Sequence, residues 1–178
     1  AHGHLEGAVN VGLNGRYAEF AGSVIPSDRD IVLFVESGTE LEAKNRLGRI
    51  GFDRVIGCVA EPIQVMIDHP ELVRVGSRLT AGELKERRDE LANLQLVDVR
   101  NKGELVAGTI PGAVHIPVGE LPGRVDELDP TRPTVVFCAG GYRSSVAASV
   151  LRMDDFGDVS DLVGGNTAWV ELTQHAIV

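Results

Sequence analysis

The chain has 178 residues, 43% of them hydrophobic and 24% charged, a balance typical of one globular domain or two small ones. It holds no run of the ~20 apolar residues that a membrane-spanning helix needs, and its net charge of −9 disfavours binding to nucleic acid or to an anionic membrane surface. Two cysteines are too few for a disulfide framework and are typical of a reducing compartment, so we expect a cytoplasmic protein.

Two parts of the chain resemble each other at an offset of about 105 residues. Residues 3–11 (GHLEGAVNV) correspond to residues 108–116 (GTIPGAVHI), and the apolar run 31–34 corresponds to 134–137. The chain opens at Ala1 in the middle of the repeated motif and without an initiator Met. We therefore expect a fragment in which the first copy lacks its beginning.

The repeat predicts three regions. A partial first unit covers residues 1–65, a linker covers 66–76, and a complete second unit covers 77–178. In the second unit, Thr80 and Glu83 have the spacing of a capping box at the start of a helix. The predicted elements of that unit, in chain order, are a helix over 80–92, strands over 94–99 and 114–118, a helix over 120–128, a strand over 134–137, a helix over 144–153 and a strand over 159–163. This alternation indicates an α/β fold with a parallel sheet covered on both faces.

Cys138 lies at the end of a predicted strand, directly before a short glycine loop and a helix. The loop and the first helical residues are Ala139, Gly140, Gly141, Tyr142, Arg143 and Ser144. Adjacent glycines let backbone N–H groups turn inward, the helix N-terminus adds a partial positive charge, and an arginine adds a full one. These groups favour a thiolate and an anion bound above the sulfur. The alternative is a packed cysteine before a tight turn.

Five motifs follow one another in the second unit: Asp98-Val99-Arg100, Glu104, residues 108–117 (GTIPGAVHIP), residues 138–144 (CAGGYRS) and residues 164–169 (GGNTAW). Together they resemble the rhodanese family of sulfurtransferases. The resemblance implies that each unit is a mostly parallel sheet of about five strands flanked by helices. It implies that Cys138 takes sulfur from thiosulfate or from a persulfide such as glutathione persulfide, and passes it to a thiol or cyanide. It also implies that Asp98 and Arg100 brace the loops around the site.

The length of the loop separates sulfur transfer from phosphate chemistry. Four residues stand between Cys138 and Arg143, whereas the similar Cdc25-like phosphatases have five. The shorter loop favours sulfur over a phosphatase or an arsenate reductase. Ala139 stands where the family often has arginine, which favours an organic persulfide or a protein donor over thiosulfate. A persulfide carrier or docking module, which accepts persulfide from a partner and has little turnover of its own, is the second alternative. Similar pairs of units occur beside a metallo-β-lactamase-like persulfide dioxygenase domain, so the resemblance also implies such a domain as a fused or separate partner.

The first copy lacks the residues for this chemistry. Val35 matches the position of Cys138, and Glu36 and Glu40 follow where donors to an anion are needed, so we expect this copy to be inactive. We expect Cys58 to be a packed thiol, with the role of a resolving cysteine as the alternative. His2 and His4 do not predict a metal site, because four ligands are usually needed, and no cofactor is expected.

Three aromatic side chains of the second unit lie in or near the motifs of the site. His115 lies in a predicted strand and is expected to pack rather than to transfer protons. Trp169 is expected in the core. Tyr142 is placed at the tip of the loop, within reach of a substrate.

Overall fold

A computed structural model describes residues 3–59 and 61–175 of the chain; His2 lies outside these residues. The strands are β1 (His4–Leu5), β2 (Ile31–Phe34), β3 (Val55–Val59), β4 (Val73–Arg74), β5 (Ser77–Leu79), β6 (Gln95–Asp98), β7 (Val114–His115), β8 (Thr134–Phe137) and β9 (Val159–Leu162). The helices are α1 (Tyr17–Val24), α2 (Glu40–Gly48), α3 (Pro62–Asp68), α4 (Ala81–Glu90), α5 (Tyr142–Met153) and α6 (Gly165–His175). Within these residues, every helix is too short or too polar to cross a membrane.

The centre of the molecule is a parallel sheet of five strands in the order β5-β9-β8-β6-β7. Successive residues of β8 point to opposite faces: Val135 and Phe137 pack with residues of α4 and α6, while Val136 packs with residues of α5 and α1. The α/β fold with a parallel sheet, predicted for the second unit, is confirmed.

The capping box at the start of α4 is present. The hydroxyl of Thr80 accepts a hydrogen bond from the backbone N–H of Glu83, and the carboxylate of Glu83 accepts one from the N–H of Thr80. The helix predicted over 120–128 is wrong. The structure has two 3-10 turns there, Leu121–Gly123 and Val125–Glu127, because Pro122 cannot donate a hydrogen bond and Gly123 is a poor helix former.

The residues before β5 form a smaller body. Strands β2 and β3 pair in parallel, and α2 packs against them through Leu47, which contacts Leu33 and Phe52. Helix α1 contributes to both bodies, because Tyr17 and Ala21 lie in this smaller cluster whereas Phe20 and Val24 lie in the cluster of α5. A complete second sheet is absent from the described residues, and a second tandem unit stays a prediction.

The stretch predicted as a linker has regular structure. Residues 66–76 include the end of α3, a 3-10 turn over Pro70–Leu72 and β4, which pairs antiparallel with β1. The limits of the two units stay a prediction. The expectation for Cys58 is wrong: its side chain is exposed on β3. In the described part of the chain, β3 pairs with β2 alone, and Ile56 on β3 and Val32 on β2 are exposed as well.

Candidate active site

The thiol of Cys138 lies between the end of β8 and the start of α5, and it is almost fully buried, with 2% of the residue exposed. The backbone N–H of Gly141 donates to Sγ over 3.1 Å. The thiol in turn lies 3.7 Å from the hydroxyl oxygen of Ser144, which donates its own proton to the carbonyl of Gly141. The sulfur is therefore buried but has polar partners, and the predicted inward-facing amide is found at Gly141.

The loop turns through a left-handed residue at Gly141, where φ is +112°. A side chain at this backbone conformation would be strained, so the sequence needs glycine directly before the helix. The turn brings the N–H of Gly141 back over Sγ and starts α5 at the next residue. The first turn of α5, with its unpaired N–H groups, therefore begins next to the thiol.

The carbonyl groups of the loop are held by the start of α6. The N–H of Asn166 donates to the carbonyl of Cys138 over 2.7 Å, and the N–H of Thr167 donates to that of Ala139 over 3.3 Å. Because a trans peptide is planar, each carbonyl that faces α6 turns the next N–H to the opposite side. This approach requires Gly165, since a Cβ there would lie 2.2 Å from the carbonyl oxygen of Cys138.

The guanidinium of Arg143 is fixed by Glu104. Nη1 donates to Oε2 over 2.5 Å and Nη2 donates to Oε1 over 2.8 Å. This hydrogen bonding lowers the pKa of Glu104 to about 2, although partial burial opposes the shift. The pKa of Arg143 is raised, chiefly by the hydrogen bond to Glu104 and further by nearby Cys138. The charged guanidinium thus lies beside the sulfur with a carboxylate partner.

Sequence reasoning missed the role of Glu104. Its signal was a second capping box, in which the N–H of Asn101 donates to the carboxylate of Glu104 over 3.0 Å. The same carboxylate thus caps a 3-10 turn and binds Arg143. Gly165 and Asn166 were identified only as part of a motif and their role was missed, although the pair of glycines after β9 was the signal for a close approach of two backbones.

Asp98 and Arg100 form a buried ion pair at the end of β6. Arg100 also donates to the carbonyl of Gly108 over 2.8 Å, and the hydroxyl of Thr109 donates to Asp98 over 2.6 Å. Burial raises the pKa of Asp98, but the hydrogen bonds from Arg100 and Thr109 outweigh it and the pKa is lowered. The pair holds the 108–109 loop against the sheet.

Two aromatic side chains of the second unit have packing roles. A ring nitrogen of His115 lies 2.7 Å from the carbonyl oxygen of Arg100. Trp169 is buried in the core, with the guanidinium of Arg88 over its ring at 5.3 Å.

Tyr142 joins the loop to the first part of the chain. Its hydroxyl donates to the carbonyl of Gly12 over 2.6 Å, and its ring lies 5.4 Å from that of Phe20. A Cβ at Gly12 would come within 2.9 Å of the tyrosine ring. A cavity of about 400 Å³ adjoins this contact and reaches Glu104 and Arg143. Tyr142 therefore forms a wall of this cavity.

In the first part of the chain, the loop that corresponds to the Cys138 loop binds a carboxylate of its own. Gly38 corresponds to Gly141 and is also left-handed, with φ of +89°. Its N–H donates to the two carboxylate oxygens of Glu40 over 2.9 and 3.1 Å. The carboxylate of Glu40 therefore accepts from the N–H of Gly38, whereas the corresponding N–H of Gly141 donates to the thiol of Cys138.

The rhodanese-like domain family matches residues 80–172, which are just over half of the chain. The chain belongs to this family. A sulfurtransferase of Allochromatium vinosum is 32% identical to the rhodanese-like domain over 93 residues, which are 52% of the chain and 87% of that protein. A thiosulfate sulfurtransferase, GlpE, of Shewanella oneidensis is 37% identical over 82 residues, 46% of the chain and 81% of that protein.

Solved structures agree with the fold of the rhodanese-like domain. A rhodanese-like domain protein from Staphylococcus aureus matches with a TM-score of 0.50 and 32% identity, covering 52% of the chain and 90% of that protein. A rhodanese-related protein from Thermoplasma volcanium matches with a TM-score of 0.50 and 29% identity, covering 54% and 92%. The family and these relatives support a role in sulfur transfer or sulfur carriage.

Proposed function

We propose that the protein is a sulfurtransferase that carries sulfur as a persulfide on Cys138. The observation that carries this proposal is the hydrogen bond from the N–H of Gly141 to Sγ. It lies within a loop that also brings Arg143 and the first turn of α5 to the sulfur. Such donors stabilise negative charge on a sulfur atom and on the outer sulfur of a persulfide.

The proposed reaction has two displacement steps. The thiolate of Cys138 attacks the outer sulfur of the donor, a new S–S bond forms, and the old bond breaks with its electron pair on the leaving group. That leaving group is sulfite from thiosulfate, or a thiolate from an organic persulfide. An acceptor thiolate or cyanide then attacks the outer sulfur on Cys138 and restores the thiolate. No net oxidation occurs, because one sulfane sulfur only changes its carrier.

The surroundings of the thiol favour an organic persulfide as the donor. Ala139 adds no charge to the loop, and the charge of Arg143 is balanced by Glu104. A doubly charged thiosulfate would find little net positive charge there. A donor with one charged sulfur and an organic remainder, such as glutathione persulfide, suits the site better, and a small thiol is the proposed acceptor.

The test is intact-mass analysis after exposure to glutathione persulfide or thiosulfate. We expect a gain of about 32 Da that maps to Cys138. The gain is absent from the Cys138→Ser variant and present in the Cys58→Ser variant, which is the matched control at the exposed thiol. A gain retained in Cys138→Ser, or lost only in Cys58→Ser, would refute the assignment.

A carrier or docking module of a larger sulfur-metabolism protein is the second candidate. It is supported by the burial of Cys138, which is 2% exposed, because steady-state turnover requires free donors and acceptors to reach the sulfur in every cycle. The candidates differ in steady-state turnover, which a carrier lacks while still accepting sulfur from a protein persulfide in a single turnover. Phosphatase or arsenate reductase chemistry is the weakest candidate, and Cys138-dependent hydrolysis of a phosphomonoester would support it.

We also propose that residues 1–65 are an incomplete, inactive copy of the rhodanese-like unit. The order β2-α2-β3-α3 parallels β8-α5-β9-α6, both strand pairs are parallel, and Gly38 and Gly141 share a left-handed turn before the helix. The proposed partner is a metallo-β-lactamase-like persulfide dioxygenase domain, fused or separate, which would share persulfide chemistry. A cytoplasmic location stays a prediction that rests on the two free cysteines.

A further inference from the structure

A second cavity, of about 470 Å³, lies between the first part of the chain and one face of α5. Ser145, Ser149 and Arg152 line it from that helix, at the spacing of residues on one helical face. Arg78 and Asp161 line it from the neighbouring strands β5 and β9. Its volume is in the range of small-molecule sites. Gly141 of the Cys138 loop also lines it, but the side chains named above take no part in the proposed sulfur chemistry.

The charges of this cavity are unbalanced. Arg78 binds Asp161 through three hydrogen bonds of 3.1 to 3.2 Å, so that carboxylate already has its partner. Arg152 donates to the carbonyl of Val159 over 2.8 Å, and among residues 3–59 and 61–175 no carboxylate lies within 4.0 Å of its guanidinium. The lining therefore carries one positive charge more than it has carboxylates, in a chain of net charge −9.

The guanidinium of Arg152 is partly withdrawn from water. Burial lowers its pKa, and the charge of Asp161 opposes this only in part. The pKa of His4, across the cavity, is lowered by burial and then by the charge of Arg152. A partly buried arginine without a carboxylate partner is costly unless an anion binds it.

Most of the side chains that line the cavity from residues 3–66 are apolar, with His4 and Asn10 as the polar exceptions. The larger apolar ones are Leu5, Val9, Phe34, Pro62 and Met66. We propose that this cavity binds a small amphipathic carboxylate, whose carboxylate group pairs with the guanidinium of Arg152 and whose hydrocarbon part packs on these apolar side chains. The forked donors of arginine match the two oxygens of a carboxylate, and the neighbouring hydroxyls of Ser145 and Ser149 add polar contacts.

The first test measures binding of hexanoate by titration calorimetry, with neutral hexanamide and inorganic phosphate as comparison ligands. Because no sulfur donor is present, the result is independent of the chemistry at Cys138. We expect saturable binding of hexanoate, with hexanamide and phosphate each weaker by about tenfold or more, the effect of one lost charge-assisted contact. Absence of hexanoate binding overturns the proposal, as does equal binding of hexanamide.

Equal or tighter binding of phosphate would also contradict the proposal, because it would mean that the site takes an oxyanion without using the apolar side chains. The variant Arg152→Gln should weaken hexanoate binding by about tenfold. Arg29→Gln is the control, since Arg29 is exposed and does not line the cavity. If both variants lose hexanoate affinity equally, the loss reflects the lower net charge of the protein and not a contact with Arg152.

A second variant tests the site without removing Arg152. A Cβ at Gly76 would lie 3.3 Å from Nη2 of Arg152, in a backbone conformation that any residue adopts. Gly76→Asp therefore places a carboxylate of the chain itself on the guanidinium, whereas Gly76→Asn places a neutral group of the same shape there. We expect Gly76→Asp to abolish hexanoate binding and to raise the melting temperature above that of Gly76→Asn. Equal hexanoate binding by the two variants would overturn the proposal.

Discussion

Glu104 determines where the guanidinium of Arg143 lies, and so how much positive charge the thiol of Cys138 experiences. The two side chains form a pair with two hydrogen bonds at the edge of the loop. Because the guanidinium is close to the sulfur, a change at Glu104 affects the site without touching the thiol.

The pair gives the stability of the protein a defined dependence on pH. The pKa of Glu104 is lowered from 4.5 to about 2, so its contribution to folding is complete above pH 4.5 and is lost as the pH falls towards 2. We expect Glu104→Gln to be less stable than the wild type at neutral pH. The difference in unfolding free energy, measured with urea, should shrink between pH 4.5 and about pH 2. A difference that stays constant over this range would contradict the prediction.

The sequence was informative about residues whose role depends on their neighbours in the chain. Cys138, Gly141 and Arg143 could be identified because the loop itself creates the turn and the helix start. Glu104 could not, because its contact with Arg143 spans 39 residues and depends on how two loops meet. Cys58 was misjudged because burial was inferred from an apolar run, whereas its strand lies in a sheet of two strands in the described residues.

At the level of secondary structure, the start of α6 supports the loop that follows Cys138. Its first N–H groups hold two carbonyls of that loop, and Gly165 provides the space for this approach. Helix α6 thereby determines which way the peptides after β8 face.

Gly165→Ala should disturb this support. The new Cβ would lie 2.2 Å from the carbonyl oxygen of Cys138 in a left-handed backbone with φ of +56°. We expect the free energy of unfolding to fall by about 2 kcal/mol or more, and the amide resonance of Gly141 to shift in an NMR spectrum. Gly157→Ala is the control, because a Cβ at Gly157 would meet no atom within 4 Å. If Gly165→Ala and Gly157→Ala lower the free energy of unfolding equally, the close approach at Gly165 is not what stabilises the loop.

Most elements of the second unit could be predicted because their signals are local. The capping box of Thr80 begins a helix, and the β-branched run before Cys138 gives a strand. The helix predicted over 120–128 was wrong because the apolar spacing there is helical, whereas Pro122 and Gly123 within it disfavour an α-helix. Leu121 and Leu128 are nevertheless buried as the pattern requires, so the spacing predicted burial correctly and the helix wrongly.

At the level of the whole molecule, the first part of the chain is packed against the rhodanese-like domain rather than tethered to it. Helix α1 contributes to the clusters of both bodies, and Tyr142 donates to the backbone of Gly12. These contacts join segments 130 residues apart, which no local pattern in the sequence could predict.

Tyr142→Phe removes the hydroxyl of this contact while keeping the ring against Phe20. We expect the free energy of unfolding to fall by about 1 kcal/mol, the usual net contribution of one hydrogen bond. Tyr17→Phe is the matched control, because the hydroxyl of Tyr17 has no hydrogen-bond partner among the described residues. Urea unfolding of both variants checks this, and equal losses would mean that the bond to Gly12 contributes nothing.

The two cysteines differ in access to solvent, and this has a practical consequence. Cys138 is almost fully buried, while Cys58 is exposed on β3. A bulky maleimide dye should therefore attach at Cys58 and leave the other thiol unlabelled. The wild-type chain thus offers a natural attachment point for a fluorescent reporter, with which sulfur loading could be followed optically without engineering a new cysteine.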